Sequence, residues 1–153
     1  MILTVDSNVL LSIFSADTSY RNACTLLKKY KAHEYVINDI IYLEIGVFFD
    51  DLSTLDRNLT LLEIDRIKNA ELDPKRIISA WRTYLKHRQH VCPQCQKEVV
   101  PECPSCHTSL SFRQKVLPDF IMIADFALEH SDGMMTFDPK YYRKYFPAIK
   151  IFD

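Results

Sequence analysis

Short apolar runs alternate with longer stretches of helical period along this chain. "ILTV" (2–5) and "YVI" (35–37) are brief, rich in β-branched residues and followed by polar ones, the pattern of buried strands. Ser7 can cap a helix through about Phe14, and Ser19 can start another through Tyr30. Asn38 or Asp39 opens an apolar helix through Phe49, a short helical piece follows near 52–58, and "LTLLEI" (59–64) reads as extended. Asp73-Pro74 supplies a cap and an N1 proline for a helix to about Arg88. Pro118 begins a helix to about His130, with Gly133 suited to its C-terminal turn. "MMTF" (134–137) and "IKIF" (149–152) are further strands, on either side of a short helix from Pro139 to Tyr145. Short apolar strands alternating with helices predict an α/β fold, with a mostly parallel sheet covered on both faces.

The length of 153 residues fits one domain with a proper core, and 48% hydrophobic with 25% charged residues is the balance of a soluble globular protein. No apolar run approaches the roughly 20 residues needed to span a bilayer. "MILTVDSNVL" lacks a basic start and carries an early aspartate, so it does not read as a signal peptide. A cytoplasmic, reducing location is the expectation, where paired cysteines indicate metal before disulfide. The net charge of −1 decides nothing about partners, but its distribution is uneven. Residues 39–73 hold nine acids against three bases, and residues 75–117 hold eight bases against two acids. Such a division fits two solvated helix faces, or a basic stripe that takes a polyanion beside an acidic site.

The acids themselves narrow this. Ligands of an open α/β sheet lie beyond the carboxyl ends of its strands. Asp6 follows the first strand and Asp138 follows "MMTF", so the two meet if those strands are neighbours. Glu44 has Ile40, Ile41, Val47 and Phe48 as its helical neighbours. A carboxylate on such a face needs a base, a proton or a cation. Asp119 stands in the first turn of its helix, where the dipole alone favours it. Carboxylates gathered inward repel one another unless a divalent ion joins them, and oxygen ligands suit Mg2+ or Mn2+. Such an ion activates water and stabilises the leaving oxygen of a phosphodiester. Separate structural ion pairs are the alternative that spacing alone leaves open.

"VCPQCQKEVVPECPSCHTSL" (91–110) carries a second chemistry. Cys92, Cys95, Cys103 and Cys106 form two Cys-Pro-x-Cys steps, and four thiolates with no open position fit structural zinc. One departure is that Gln96 and His107 stand where zinc knuckles often have glycine. The segment has few large apolar residues, so a metal would stand in for a core. It reads as an accessory.

Together, "TVDSNVLLSIF", "YLEIGVFF" and "LPDFIMIADFALEHSDGMMTFDPKYYRKYFP" resemble a PIN-domain nuclease, and most of all the bacterial VapC-type toxins with an "LPDF" helix and a "T-x-D…YF-P" ending. The resemblance covers the chain outside about residues 89–113, making 1–153 a PIN domain with an inserted zinc-ribbon module at 89–113. It implies a three-layer α/β/α fold and a Mg2+- or Mn2+-dependent endoribonuclease in which Asp6, Glu44, Asp119 and Asp138 hold the ion and carry catalysis. Asn8 and Thr136 match positions that often support those acids, and water would attack the RNA without a covalent enzyme intermediate. A homodimer, a small antitoxin whose C-terminal segment covers the acidic groove, and a structured RNA substrate are implied as well. Arg82, Lys86, Arg88, Arg113, Lys115 and Arg143 are then candidate RNA contacts. Asp125 departs from the pattern, since relatives usually carry a neutral residue or histidine there, and it is expected to be solvated and not a ligand. Two alternatives stand beside the toxin: an RNA-processing nuclease similar to ribosomal RNA maturation enzymes, and a catalytically silent PIN/zinc-ribbon scaffold that binds nucleic acid or protein. In the former the ribbon follows the nuclease domain instead of interrupting it. Retention of all four acids speaks against the latter.

Overall fold

The computed structural model of the chain describes residues 1–87, 105–107 and 117–153. Among these the order is β1 (Ile2–Val5), α1 (Ser7–Phe14), α2 (Tyr20–Lys29), β2 (Glu34–Asn38), α3 (Asp39–Gly46), α4 (Leu52–Leu61), β3 (Ile64–Ile67), α5 (Pro74–His87), α6 (Asp119–His130), β4 (Gly133–Met135), α7 (Pro139–Tyr145) and β5 (Ile151–Phe152). Successive side chains of a strand point to opposite faces, so a strand buried at every position is covered on both sides. Leu3, Thr4 and Val5 of β1 are all buried, as are Tyr35 to Asn38 of β2 and all of β4. The strands form one parallel sheet in the order β3-β2-β1-β4-β5.

That order creates the site. From β1 the chain steps outward through β2 and β3, then crosses back to place β4 and β5 on the other flank. The direction reverses at β1, and the crevice beyond the carboxyl ends of β1 and β4 is the switch point where such sheets bind ligands. Val5 pairs with Met135, and the Asp6 amide donates to the Met135 carbonyl at 2.9 Å. The residues that follow each strand therefore emerge side by side.

Several elements depart from the sequence reading. Asp6, not Ser7, caps α1, its carboxylate accepting from the Ser7 amide. α3 stops at Gly46 instead of Phe49, and Val47 and Phe48 are 79% and 67% exposed. The apolar surroundings expected for Glu44 are thus two surfaces, a buried one with Ile41 and an exposed one with Val47. The first half of "LTLLEI" is the end of α4, because Leu55 and Leu59 lie one turn apart and are both buried. Glu63, at φ 56°, turns the chain into β3, whose sequence "IDRI" is polar enough at this edge to hide a strand. "MMTF" and "IKIF" shorten to 133–135 and 151–152.

Gly133 does not close α6. The helix ends on an extended Ser131, and Gly133 lies in β4 without a left-handed φ. Its role is clearance: a Cβ there would stand 2.5 Å from Phe152 Cε2 and 2.7 Å from the Lys150 carbonyl oxygen. Asp125 is the second correction. It is fully buried, not solvated: it pairs with the Arg76 guanidinium and accepts from the Asp73 amide at 2.7 Å. Arg76 also pairs with Glu129, so one guanidinium clamps the start of α5 to α6.

Gly133→Ala forces β5 backbone and the Phe152 ring away from β4. The expected cost is about 1–3 kcal/mol, read as a lower denaturant midpoint at unchanged slope. An unshifted midpoint would mean that the two strands are free to part.

Candidate active site

Four acids from four places in the chain line one cavity of about 380 Å3: Asp6 at the cap of α1, Glu44 in α3, Asp119 opening α6 and Asp138 at the cap of α7. Asp138 makes no cap bond with its side chain, and Asp119 accepts the neighbouring Phe120 amide at 2.8 Å. Asp119 and Asp138 are exposed, Glu44 is half-buried, and Asp6 is 3% exposed.

Burial of Asp6 is compensated by donors. Thr136 Oγ1 (2.6 Å), Asn8 Nδ2 (2.9 Å) and the Tyr142 hydroxyl (3.1 Å) all donate to Oδ2, while among the described residues Oδ1 accepts only from the Ser7 amide at 2.9 Å. The donors are organised in turn. Thr136 Oγ1 accepts from Asn8 at 3.1 Å and from the Asp138 amide at 3.0 Å, and Asn8 Oδ1 accepts from the Phe137 amide at 3.2 Å. Oδ2 is saturated, and Oδ1 keeps a lone pair for a further partner. Desolvation still holds the Asp6 pKa above the usual carboxylate value, against the pull of these bonds, with the Asp119 charge adding to it. Burial and the Asp6 charge push the Tyr142 phenol well above its ordinary range, so it remains a donor.

Glu44 is the unsatisfied member. Its Oε2 is buried without a hydrogen-bond partner. Desolvation, then the hydrogen bond and charge of Asp119 with the charge of Asp6, raise its pKa to about 8, while the Ser7 hydroxyl pulls the other way. Among the described residues no three His, Cys, Asp or Glu side chains stand close enough to chelate an ion unaided. Mg2+ does not require this, because it takes one or two carboxylates, keeps several waters and accepts substrate phosphate oxygens. Hard oxygen donors, mutual repulsion and an orphaned carboxylate oxygen fit Mg2+ or Mn2+.

The other candidates scatter. Arg82 and Lys86 line a separate depression on α5, with Lys75 and Thr83, and not the acid cavity, where Tyr84 is the α5 contribution. Arg143 pairs with Asp153 at 3.1 Å. Arg88, Arg113, Lys115, Cys92, Cys95 and Cys103 lie outside the described residues, as does most of 89–113; Cys106 is described and exposed. Tyr142 was not singled out by the sequence. The only signal it offered was the helical spacing that places it four residues beyond Asp138.

Glu44 makes stability depend on pH. Its folded pKa lies above the unfolded value of 4.5, so between pH 4.5 and about 8 the folded chain keeps a proton that the unfolded chain has lost. Stability then falls as pH rises through that window, and the raised Asp6 pKa acts in the same direction. With divalent ions chelated, Glu44→Gln should be more stable than wild type at pH 8 and lose that advantage at pH 5. Denaturation midpoints at the two pH values check it, and a pH-independent difference would contradict it.

No family model matches this chain, and no curated protein does. Among solved structures it is similar to a chain of VapBC2 from Rickettsia felis, crystallised bound to a DNA fragment from their promoter, at 19% identity and a TM-score of 0.52, with 100% of each chain covered. At that identity the likeness is one of fold: the chain has a parallel α/β architecture of PIN-like fold.

Proposed function

We propose that this protein is a Mg2+- or Mn2+-dependent endoribonuclease, the toxin of a VapC-type toxin–antitoxin pair. The observation that carries the reading is the orphaned Glu44 oxygen in a cavity it shares with Asp6, Asp119 and Asp138. These four residues would hold the ion, which when bound supplies the charge that activates water and stabilises the leaving oxygen of a phosphodiester. The chain's own part is to keep its ligands in place. Thr136, Asn8 and Tyr142 fix the Asp6 carboxylate, and the hydrogen bond that the Asp138 amide donates to Thr136 Oγ1 ties the second strand-end acid to the first.

A protein partner is supported separately. Leu43 of α3 and Val47 at its C-cap, one turn apart, are 63% and 79% exposed, and Phe48 and Leu52 follow them at 67% and 51%. Large apolar side chains concentrated in one short segment mark an interaction surface. The R. felis neighbour is named as a VapBC2 assembly. We assign this chain an antitoxin and a second copy of itself as partners, and RNA as substrate. No described helix is long and apolar enough to cross a membrane, in keeping with the proposed cytoplasmic location.

The segment at 89–113 is proposed as a structural zinc ribbon on Cys92, Cys95, Cys103 and Cys106. Its support is the spacing and the backbone of His107, whose φ of 54° is the left-handed conformation that favours glycine after a knuckle's second cysteine.

One preparation tests both metals. Elemental analysis of freshly purified protein should find one zinc per chain. The same protein, incubated with structured RNA, should cut it with Mn2+ and not with a chelator of hard cations, and Asp119→Asn should lower the rate by at least about 100-fold. Cleavage that survives both Asp6→Asn and Asp119→Asn would overturn the site, and a zinc content well below one would overturn the ribbon.

A further inference from the structure

The two carboxylate oxygens of Asp6 have unequal surroundings. Oδ2 takes three donors: Thr136 Oγ1 at 2.6 Å, Asn8 Nδ2 at 2.9 Å and the Tyr142 hydroxyl at 3.1 Å. Among the described residues Oδ1 takes only the Ser7 amide, at 2.9 Å. A carboxylate oxygen offers about two lone pairs, so Oδ2 has none left for an ion and Oδ1 has one.

The three donors differ in what else they hold. Thr136 Oγ1 also accepts from Asn8 and from the Asp138 amide, and Asn8 Oδ1 accepts from the Phe137 amide. Those two side chains tie the ends of β1 and β4 together whatever the cavity binds. Tyr142 does not share this duty. Its hydroxyl makes no other hydrogen bond among the described residues. It is 3% exposed, and its ring packs edge-on against Phe120 with centroids 6.1 Å apart. A buried phenol whose one proton goes to an oxygen already served twice is redundant for joining the strands. Its consequence is for the carboxylate, which it locks against rotation with Oδ2 closed.

Hard ions respond to such a lock in different ways. Ca2+ takes six to eight oxygens in flexible geometry and often draws both from one carboxylate. Mg2+ demands near-ideal octahedral geometry, keeps several waters and is content with single oxygens from one or two acids. Protein donors are few here, since among the described residues no three acidic, His or Cys side chains stand close enough to chelate an ion. Closing one oxygen of the most buried acid therefore costs Ca2+ more than it costs a small octahedral ion. A site can be specific by penalising the competitor as well as by favouring its own ligand.

We propose that Tyr142 is a positioning residue that confines Asp6 to ligation through Oδ1 alone, and that this makes the cavity discriminate against Ca2+. The inference rests on the metal-dependent reading above and adds to it how the ion is chosen.

The test needs no RNA and uses the full-length chain. Mn2+ binding is read from the loss of its free-ion paramagnetic resonance signal, and Ca2+ binding from the Mn2+ it displaces. Wild type should bind Ca2+ at least about 10-fold more weakly than Mn2+. Tyr142→Phe keeps the ring and removes the donor. It should weaken Mn2+ binding by about 10-fold and Ca2+ binding by less than about twofold, so that the preference nearly disappears. General damage to α7 would weaken both ions alike, so the ratio separates positioning from packing. A Mn2+ preference that is unchanged in the variant, or absent in wild type, overturns the inference. If Glu44→Gln still weakens Mn2+ binding in that case, the metal site stands and only this inference falls. If wild type binds no Mn2+, the metal-dependent reading falls and this inference falls with it.

Discussion

A carboxylate excluded from water requires compensation, and in this protein the compensation for Asp6 determines where the rest of the site lies. Its Oδ2 accepts from Thr136 beyond β4, from Asn8 in α1 and from Tyr142 in α7. Two segments far apart in the chain, 6–8 and 136–142, are thereby joined at one oxygen atom. The same bonds locate Asp138, whose amide donates to Thr136, and α7, which brings Tyr141 to the cavity. Charge-assisted hydrogen bonds of this kind are about twice as strong as neutral ones, and a buried network is rigid only when every member is satisfied. Here Asn8 and Thr136 use both their donor and acceptor capacity, and the incomplete member is Glu44.

The fold supplies this arrangement from the outside inward. The reversal of direction at β1 opens the crevice, and the pairing of Val5 with Met135 sets Asp6 beside Thr136. The Arg76–Asp125 pair fixes α5 against α6, which sets Tyr84 and Phe120 on the same wall. Asp39, which also follows a strand, shows the alternative fate of such an acid. It pairs with Arg66 at 2.6 Å and accepts from the Asn69 amide at 2.8 Å, which together hold its pKa below the usual carboxylate value. The acids around the cavity have no cation of this kind among the described residues that line it.

Much of this was legible in the sequence, for definable reasons. β1, β2 and α6 are strongly patterned because both faces of a central strand, and the inner face of a central helix, are apolar. Asp6 and Asp138 were legible because a strand end in a parallel sheet is a place as well as a residue. Glu44 stood out for a partly mistaken reason: its side chain is half-buried, but Val47 and Phe48 face solvent and only the Ile41 side packs. What stayed hidden depends on pairing across the chain. Asp125 looked solvated beside Glu129, because nothing local announces that Arg76 reaches it. β3 was missed because an edge strand covered on one flank does not need the apolar run that marks a central one. Gly133 sits where a helix terminator is expected, a common role for its residue type, but its constraint is the Phe152 ring on the adjacent strand.

The proposed site depends on a divalent ion relieving the repulsion among Asp6, Glu44, Asp119 and Asp138, and the electron paramagnetic resonance signal of free Mn2+ reads this without any substrate. Titrating Mn2+ into the protein should remove the free-ion signal at one site per chain, and Glu44→Gln or Asp119→Asn should each weaken that binding by about 10-fold or more. Binding of equal strength in the wild type and both variants would contradict it, because the acids would then be gathered around nothing that Mn2+ recognises.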